Sequence, residues 1–197
     1  MNLAVESNIL NENANVEPRK FTVWLFIIAI FMLFAGLTSA YFVRMKAGNW
    51  YEFKLPFQFL LSTITIIVSS FTMWWSYNSA KNDDLPQLKV SLVLTFLLGL
   101  GFCYLQWLGW KAMLAQNLFF ADDINGDHVS ASFIYALSGL HLAHILAGIL
   151  FLFILIIKAF TSNIHRKKLL SINMCNTYWH FVGILWVYLY LFFYFAH

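Results

Sequence analysis

The sequence predicts an all-α membrane protein, a polytopic bundle of five transmembrane helices. Of its 197 residues, 61% are hydrophobic and only 11% are charged, and the mean hydropathy is +0.70. This composition lies far outside the range of soluble globular domains. Polar segments separate five apolar segments, each long enough to supply the roughly 20 residues that a helix needs to cross a bilayer. The predicted spans are about 21–43, 57–79, 88–113, 131–157 and 174–196.

The segment before the first span is polar and rich in Asn and Glu. It has no basic region followed by an apolar core, so it does not have the pattern of a secretory signal peptide. We therefore expect residues 1–19 to form a flexible tail and residues 20–197 to form the membrane domain. Within the first span, Gly36 and Ala40 lie one turn apart, which predicts a close helix–helix contact.

The second span carries hydroxyl side chains three and four residues apart, so they share one helix face. They are Ser62, Thr65, Ser69, Thr72 and Ser76. Hydroxyl groups in membrane helices commonly bond carbonyl oxygens of their own helix, which favours a structural role. Contact with a partner subunit or a lipid headgroup is the alternative.

The fourth span contains two histidines on one face, His141 and His144. An imidazole at membrane depth costs free energy unless it is hydrogen-bonded, so we expect this face to contact protein, bound polar groups or water. A separate stripe of small residues predicts close approach of another helix. The small residues predicted to pack in this span are Gly139, Ala143, Ala147 and Gly148.

The fifth span adds His180, and the three histidines are the only ionisable residues deep in the predicted spans. Three histidines would satisfy a three-ligand metal count, but no carboxylate is available to orient them. Hydrogen-bonded histidines are therefore favoured, and a histidine-based metal or haem site is the alternative. The predicted lipid or structural polar contacts are His141, His144, Trp179, His180, Arg44 and Trp75.

The distribution of charge argues against several function classes. All nine acidic residues lie outside the predicted spans, and no span interior contains Lys or Arg. Ion-coupled transport normally uses such groups within the membrane, so a transporter or proton pump is disfavoured. The basic residues behind the net charge of +3 lie near the span ends and require no nucleic-acid partner.

Counting Lys and Arg on alternate sides gives eight on the side of the N-terminus and four on the other side. The positive-inside rule therefore predicts a cytoplasmic N-terminus and an external C-terminus.

Four motifs along the chain occur in a characteristic order. They are Trp24-Leu25-Phe26 with Met32-Leu33-Phe34-Ala35-Gly36, the hydroxyl-rich segment from Ser62 to Ser70, the set Gly139, His141, His144 and Gly148, and Tyr178-Trp179-His180-Phe181-Val182 with Trp186. Together they resemble subunit III of the haem–copper oxidases, the cytochrome c and quinol oxidase family, over about residues 20 to 196.

The resemblance implies a five-helix form that lacks the first two helices of longer members. It implies no catalytic residue and no redox centre in this chain, with haem and copper in a partner, subunit I. It further implies packing on subunit I and other respiratory-complex subunits, bound phospholipid, and a place in aerobic electron transport in a bacterial inner membrane. A subunit-III-like accessory protein of nitric oxide reductase shares this fold and remains an alternative. The electron donor, cytochrome c or quinol, stays open.

The chain departs from the family pattern at three positions. Ile30, Gly109 and Gly183 stand where the family pattern has membrane carboxylates. A proton-buffering role is therefore not expected here. The scaffold and lipid-site roles implied by the resemblance depend on the histidines and Trp179, which are present.

Overall fold

The structure, a computed structural model, describes the backbone of residues 2–46, 55–116, 129–161 and 167–195. Side chains are described for residues 20–46, 55–116, 130–161 and 170–195. The regular structure in these ranges is entirely α-helical. The five helices are α1 (Asn2–Met45), α2 (Phe57–Lys81), α3 (Leu85–Ala115), α4 (Val129–Thr161) and α5 (Lys167–Phe195). The predicted fold class is confirmed.

Each helix contains one apolar stretch of membrane-spanning length, as the sequence predicted. These stretches are Lys20–Met45, Phe57–Lys81, Leu85–Ala115, Ser130–Thr161 and Leu170–Phe195. α1 is helical from Asn2 onward, although the sequence predicted a flexible tail over residues 1–19. The side chains of that segment lie outside the described residues, and the tail stays a prediction.

A tight turn joins α2 to α3 and makes the two helices antiparallel neighbours. Asp83 has a φ of 54°, the left-handed conformation that reverses the chain direction. The carboxylate of Asp84 then accepts a hydrogen bond from the Gln87 amide and caps the start of α3. Pro86 lies in the first turn of α3, where its missing N–H costs no helical hydrogen bond.

Helices α2 to α5 form a closed ring. α2 packs against α3 and α5, and α4 packs against the same two helices. α1 lies outside this ring and packs against α4 and α5. The largest side chains that are fully buried include Trp179, Trp186, Phe59 and Phe102, which fill the space enclosed by the ring.

Candidate functional site

Trp179 ties the four helices of the ring together from the centre of α5. Its fully buried ring lies against Gly99 of α3 and Gly148 of α4. A Cβ atom added to these glycines would lie 2.9 Å and 3.1 Å from the indole ring, respectively. The indole Nε1 donates a hydrogen bond of 2.7 Å to Ser69 Oγ on α2. One side chain therefore connects all four helices.

Trp186 makes a second connection two turns further along α5. Its Nε1 donates to Thr63 Oγ1 of α2 over 3.1 Å. Its ring stacks on Phe59 at a centroid distance of 6.1 Å and meets the Phe102 ring of α3 edge-on at 5.2 Å. Aromatic contacts of this kind add stabilisation beyond the area that they bury.

Four of the five residues in the hydroxyl stripe of α2 are buried, namely Ser62, Ser69, Thr72 and Ser76, whereas Thr65 is only half-buried. Ser62 Oγ accepts a hydrogen bond of 3.0 Å from Gln106 Nε2, and Thr72 Oγ1 lies 2.8 Å from Thr95 Oγ1. Several of these hydroxyls also bond carbonyl oxygens of α2, as Ser62 and Thr65 do to Phe59 and Leu61. This geometry favours the structural interpretation of the stripe.

His141 is completely buried and surrounded by aromatic rings. The centroids of Phe34, Phe102 and Trp186 lie 6.2, 6.0 and 5.1 Å from its own. Neither ring nitrogen has a hydrogen-bond partner among the described residues, and the same holds for Gln106 Oε1. The expected hydrogen bond to this histidine is therefore not found there, because its neighbours present ring faces and edges rather than polar atoms.

The other two histidines lie elsewhere. His144 Nδ1 is 2.8 Å from the Leu140 carbonyl oxygen of its own helix, and its own carbonyl accepts a bond of 2.9 Å from the Tyr178 hydroxyl. His180 lines a groove between α2 and α5, outside the ring. In the described ranges, no three His, Cys, Asp or Glu side chains lie close enough together to hold a metal ion.

The small residues singled out in the sequence have different surroundings. Gly148 is buried against Trp179 and Tyr178, whereas an added Cβ at Gly139 would only touch Trp110 at 3.9 Å. Ala143 and Ala147 are exposed on α4. On α1, Ala40 is exposed and an added Cβ at Gly36 meets no atom within 4 Å. Apart from Gly148, these positions receive no close helix from within the described chain.

The remaining predicted polar contacts lie at helix ends. Arg44 is exposed in the last turn of α1. Trp75 is 40% exposed near the end of α2 and donates its indole N–H to Gln87 Oε1 over 3.2 Å. Both residues lie towards the ends of helices long enough to span a membrane, where charged and indole groups are commonly found.

Two grooves flank α1. A groove of about 390 Å³ lies between α1 and α5, and its lining includes Thr38, Ser39, Lys46 and Tyr188. A second groove of about 260 Å³ is apolar, and its lining includes Phe26, Ala147, Phe151 and Tyr178. The exposed small residue Ala147 therefore borders a cavity rather than a helix.

Three connections in the structure were not foreseen from the sequence. Trp110 Nε1 donates to Ser138 Oγ over 3.0 Å and joins α3 to α4. Gly99 makes room for Trp179, and Tyr188 OH donates to Thr38 Oγ1 over 3.3 Å. The glycine-rich segment around Gly99 was a usable signal, because glycine in a membrane helix often marks a close contact.

Comparison with known proteins identifies the family of this chain. The sequence profile of cytochrome c oxidase subunit III matches residues 2–197. The chain belongs to the cytochrome c oxidase subunit III family.

Named relatives agree with this assignment. A probable cytochrome c oxidase subunit 3 of Mycobacterium tuberculosis is 30% identical over 179 residues, covering 88% of this chain and 84% of the relative. The cytochrome c oxidase subunit 3 of Bacillus sp. PS3 is 27% identical, covering 90% and 86%. That of Spodoptera frugiperda is 29% identical, covering 69% and 88%.

The structure also shows what surrounds Ile30, Gly109 and Gly183, the three positions at which the resemblance implied a lost carboxylate. Ile30 is 4% exposed and belongs to the hydrophobic core. A Cβ at Gly109 would lie 3.1 Å from the Phe59 ring, so that position has no room for a side chain unless the ring moves. Gly183 borders the α2–α5 groove, and a Cβ there would lie 3.0 Å from Ser70 Oγ.

Proposed function

We propose that this chain is a non-catalytic subunit III of a respiratory terminal oxidase of the cytochrome c oxidase type. It packs on the haem-bearing subunit I, holds phospholipid, and serves aerobic electron transport in a bacterial inner membrane. The observation that carries the proposal is the family match over residues 2–197. Haem and copper belong to subunit I in this scheme.

The interior chemistry supports a scaffold role. Among the described residues, no Asp, Glu, Lys or Arg side chain is buried. Ser, Thr, Trp and Gln side chains instead join α2 to α3 and α5 by hydrogen bonds, as in the Trp179–Ser69 and Gln106–Ser62 pairs. Such bonds fix how helices pack in a membrane.

The grooves beside α1 support the proposed lipid role. Lys46 lines the groove between α1 and α5, and Arg44 lies in the last turn of the same helix. Basic side chains at the membrane surface attract lipid phosphate groups. Apolar side chains such as Phe42 and Val43 line the same groove, where an acyl chain would lie.

Purification in a gentle detergent tests the proposal. The tagged chain is isolated from its native membrane, the co-purifying proteins and lipids are identified, and a reduced-minus-oxidised spectrum is recorded. We expect haem bands, a haem–copper oxidase subunit I and bound phospholipid. A haem-bearing subunit of a nitric oxide reductase would assign the chain to that enzyme instead. A colourless chain without partners, while other respiratory complexes stay intact, would reject the proposal.

The proposed orientation has a separate test. Lys46→Cys and Lys81→Cys place thiols at opposite ends of the spans, and the native Cys103 and Cys175 are half-buried and buried. A membrane-impermeant maleimide should label Lys46→Cys in intact spheroplasts and Lys81→Cys only after permeabilisation, with the parent chain as the control. The reverse pattern would place the N-terminus outside.

A further inference from the structure

Two contacts fix how α3 and α4 lie against each other. Trp110 of α3 donates a hydrogen bond to Ser138 of α4. Eleven residues earlier in α3, a Cβ added to Gly99 would lie 3.3 Å from Ile149, which is eleven residues later in α4. The two helices are therefore antiparallel, and each residue back along α3 corresponds to one residue forward along α4.

This register places Gln106 of α3 beside His141 of α4. Gln106 is four residues before Trp110, and the position four residues after Ser138 is 142, the neighbour of His141. Both side chains are buried, with exposed fractions of 1% and 0%. The two polar groups therefore lie at one level of the bundle, within about 1.5 Å of each other along the helix axes.

Shared neighbours support this placement independently. Phe102 is one helical turn from Gln106, and the centroid of its ring lies 6.0 Å from that of His141. The His141 ring also lies 5.1 Å from that of Trp186. Trp186 and Gln106 in turn bond adjacent hydroxyls of α2, and the hydroxyl that Gln106 bonds is that of Ser62. All four helices of the ring thus contribute to one layer that contains polar groups.

The layer contains polar atoms that no described side chain satisfies. In the described ranges, five buried side-chain atoms have no hydrogen-bond partner, and three of them are Gln106 Oε1 and the two ring nitrogens of His141. A neutral imidazole has one donor and one acceptor, whereas the amide oxygen is an acceptor only. Leaving these groups unpaired within a membrane is unfavourable, so the layer requires a hydrogen-bonding partner.

Charge and size identify this partner as water. Among the residues whose side chains are described, no Asp, Glu, Lys or Arg is buried, so no charge there balances an ion. His141 is completely buried and has three aromatic rings around it, which leaves no access for a lipid or for a side chain of another protein. A water molecule is small, both donates and accepts, and commonly satisfies buried polar groups of this kind.

We propose that the ring encloses a binding site for water, in which a water molecule donates a hydrogen bond to Gln106 Oε1 and also bonds a ring nitrogen of His141. This water connects α3 to α4 about one turn from the direct bond between Trp110 and Ser138. The site lies within this chain, so the inference does not depend on the identity of any partner subunit.

A cryo-electron microscopy map tests the site directly. The full chain is purified from its native membrane with the subunits that accompany it, and the map must resolve ordered water elsewhere in the particle. We expect a density peak about 2.7–3.2 Å from both Gln106 Oε1 and a ring nitrogen of His141. A direct bond between the two side chains, or a map without a peak between them, would overturn the inference.

Solid-state NMR of the same preparation measures the hydrogen bond itself. Histidine is labelled with a nitrogen isotope, and the difference from a His141→Phe variant assigns the His141 signals. We expect magnetisation to pass from water protons to a ring nitrogen of His141 in the parent chain. If no transfer to this ring is seen in the parent chain, the inference fails whether or not any variant folds.

A substitution of the second ligand sharpens the test. Gln106→Met removes the oxygen that holds the water, so it should shift the signal of the His141 ring nitrogen and reduce the transfer from water severalfold. Gln87→Met, at an exposed glutamine of the same helix, is the matched control and should leave both unchanged. Equal transfer in the two variants would contradict a water shared between Gln106 and His141.

Discussion

Helices α1 and α5 cross the same membrane but differ in how they are held. The most apolar stretch of α5 is 50% buried within the chain, whereas that of α1 is 22% buried. Yet α5 has the lowest hydropathy of the five spans, and α1 has one of the highest. The more polar helix lies inside because its indole and hydroxyl groups find partners there, and the more apolar helix faces outward, where no hydrogen bonds are needed.

The largest expected contrast between the two helices comes from one tryptophan in each. Trp179→Ala should remove about 3–5 kcal/mol from the free energy of unfolding, because it leaves a large cavity at the centre of the ring. Trp24→Ala on α1 should have little effect on the isolated chain, because that ring is 58% exposed. Thermal unfolding in mild detergent measures both. Equal losses would mean that α1 is held as firmly as α5.

Steric substitutions should give the next largest effect. Gly99→Val and Gly148→Val force atoms against the Trp179 ring and should each cost about 1–3 kcal/mol. Gly36→Val on α1 is the matched control, because an added Cβ meets nothing within 4 Å. Unfolding measurements on the three variants compare them directly. A loss at Gly36 as large as at Gly99 would contradict the arrangement of α1 outside the ring.

A double-mutant cycle measures the hydrogen bond between Trp179 and Ser69. Trp179→Phe, Ser69→Ala and the double variant should give a coupling free energy of about 0.6 kcal/mol, and at most about 1.7, as for other interhelical bonds in membranes. The cycle separates this bond from the packing of the ring. A coupling near zero would show that the indole is held by packing alone.

The smallest effect is expected where α5 meets α1. Tyr188→Phe removes the bond to Thr38 Oγ1, which is long at 3.3 Å and lies at the surface of the bundle. We expect a loss below about 0.6 kcal/mol in the unfolding free energy. Thr38→Val should behave similarly, although it also removes hydroxyl bonds to the Phe34 and Ala35 carbonyls. A loss larger than the coupling free energy of Trp179 and Ser69 would mean that α5 is held more firmly by α1 than by this hydrogen bond to α2.

The structure also shows which of the sequence predictions extend to the contacts between helices. The hydroxyl stripe of α2 was expected to have a structural role, and the structure shows that Ser69, Ser62 and Thr72 bond to Trp179, Gln106 and Thr95 of the neighbouring helices. Gly148 and Ala147 were equivalent small residues in the sequence, but one is buried against Trp179 and the other borders a groove. Their one-residue offset rotates them by about 100°, and only the position of α5 decides which of them is covered.

The histidines show the same limit. His141 and His144 share a helix face, and the sequence predicted a polar or hydrogen-bonded environment for both. His144 bonds to its own helix, whereas His141 lies among Phe34, Phe102 and Trp186. These three rings belong to three other helices, so the sequence around position 141 could not predict them.

By itself, the sequence determined the five spans, the helical class and the family, because hydropathy and ordered motifs are local properties that a membrane protein must satisfy one segment at a time. Only the tertiary structure decided that α2 to α5 close a ring, that α1 stays outside it, and that His180 and Ser70 share a groove. Those outcomes depend on which faces of separate helices meet. Hydropathy does not distinguish the faces of an apolar helix, because lipid and protein are similarly apolar neighbours.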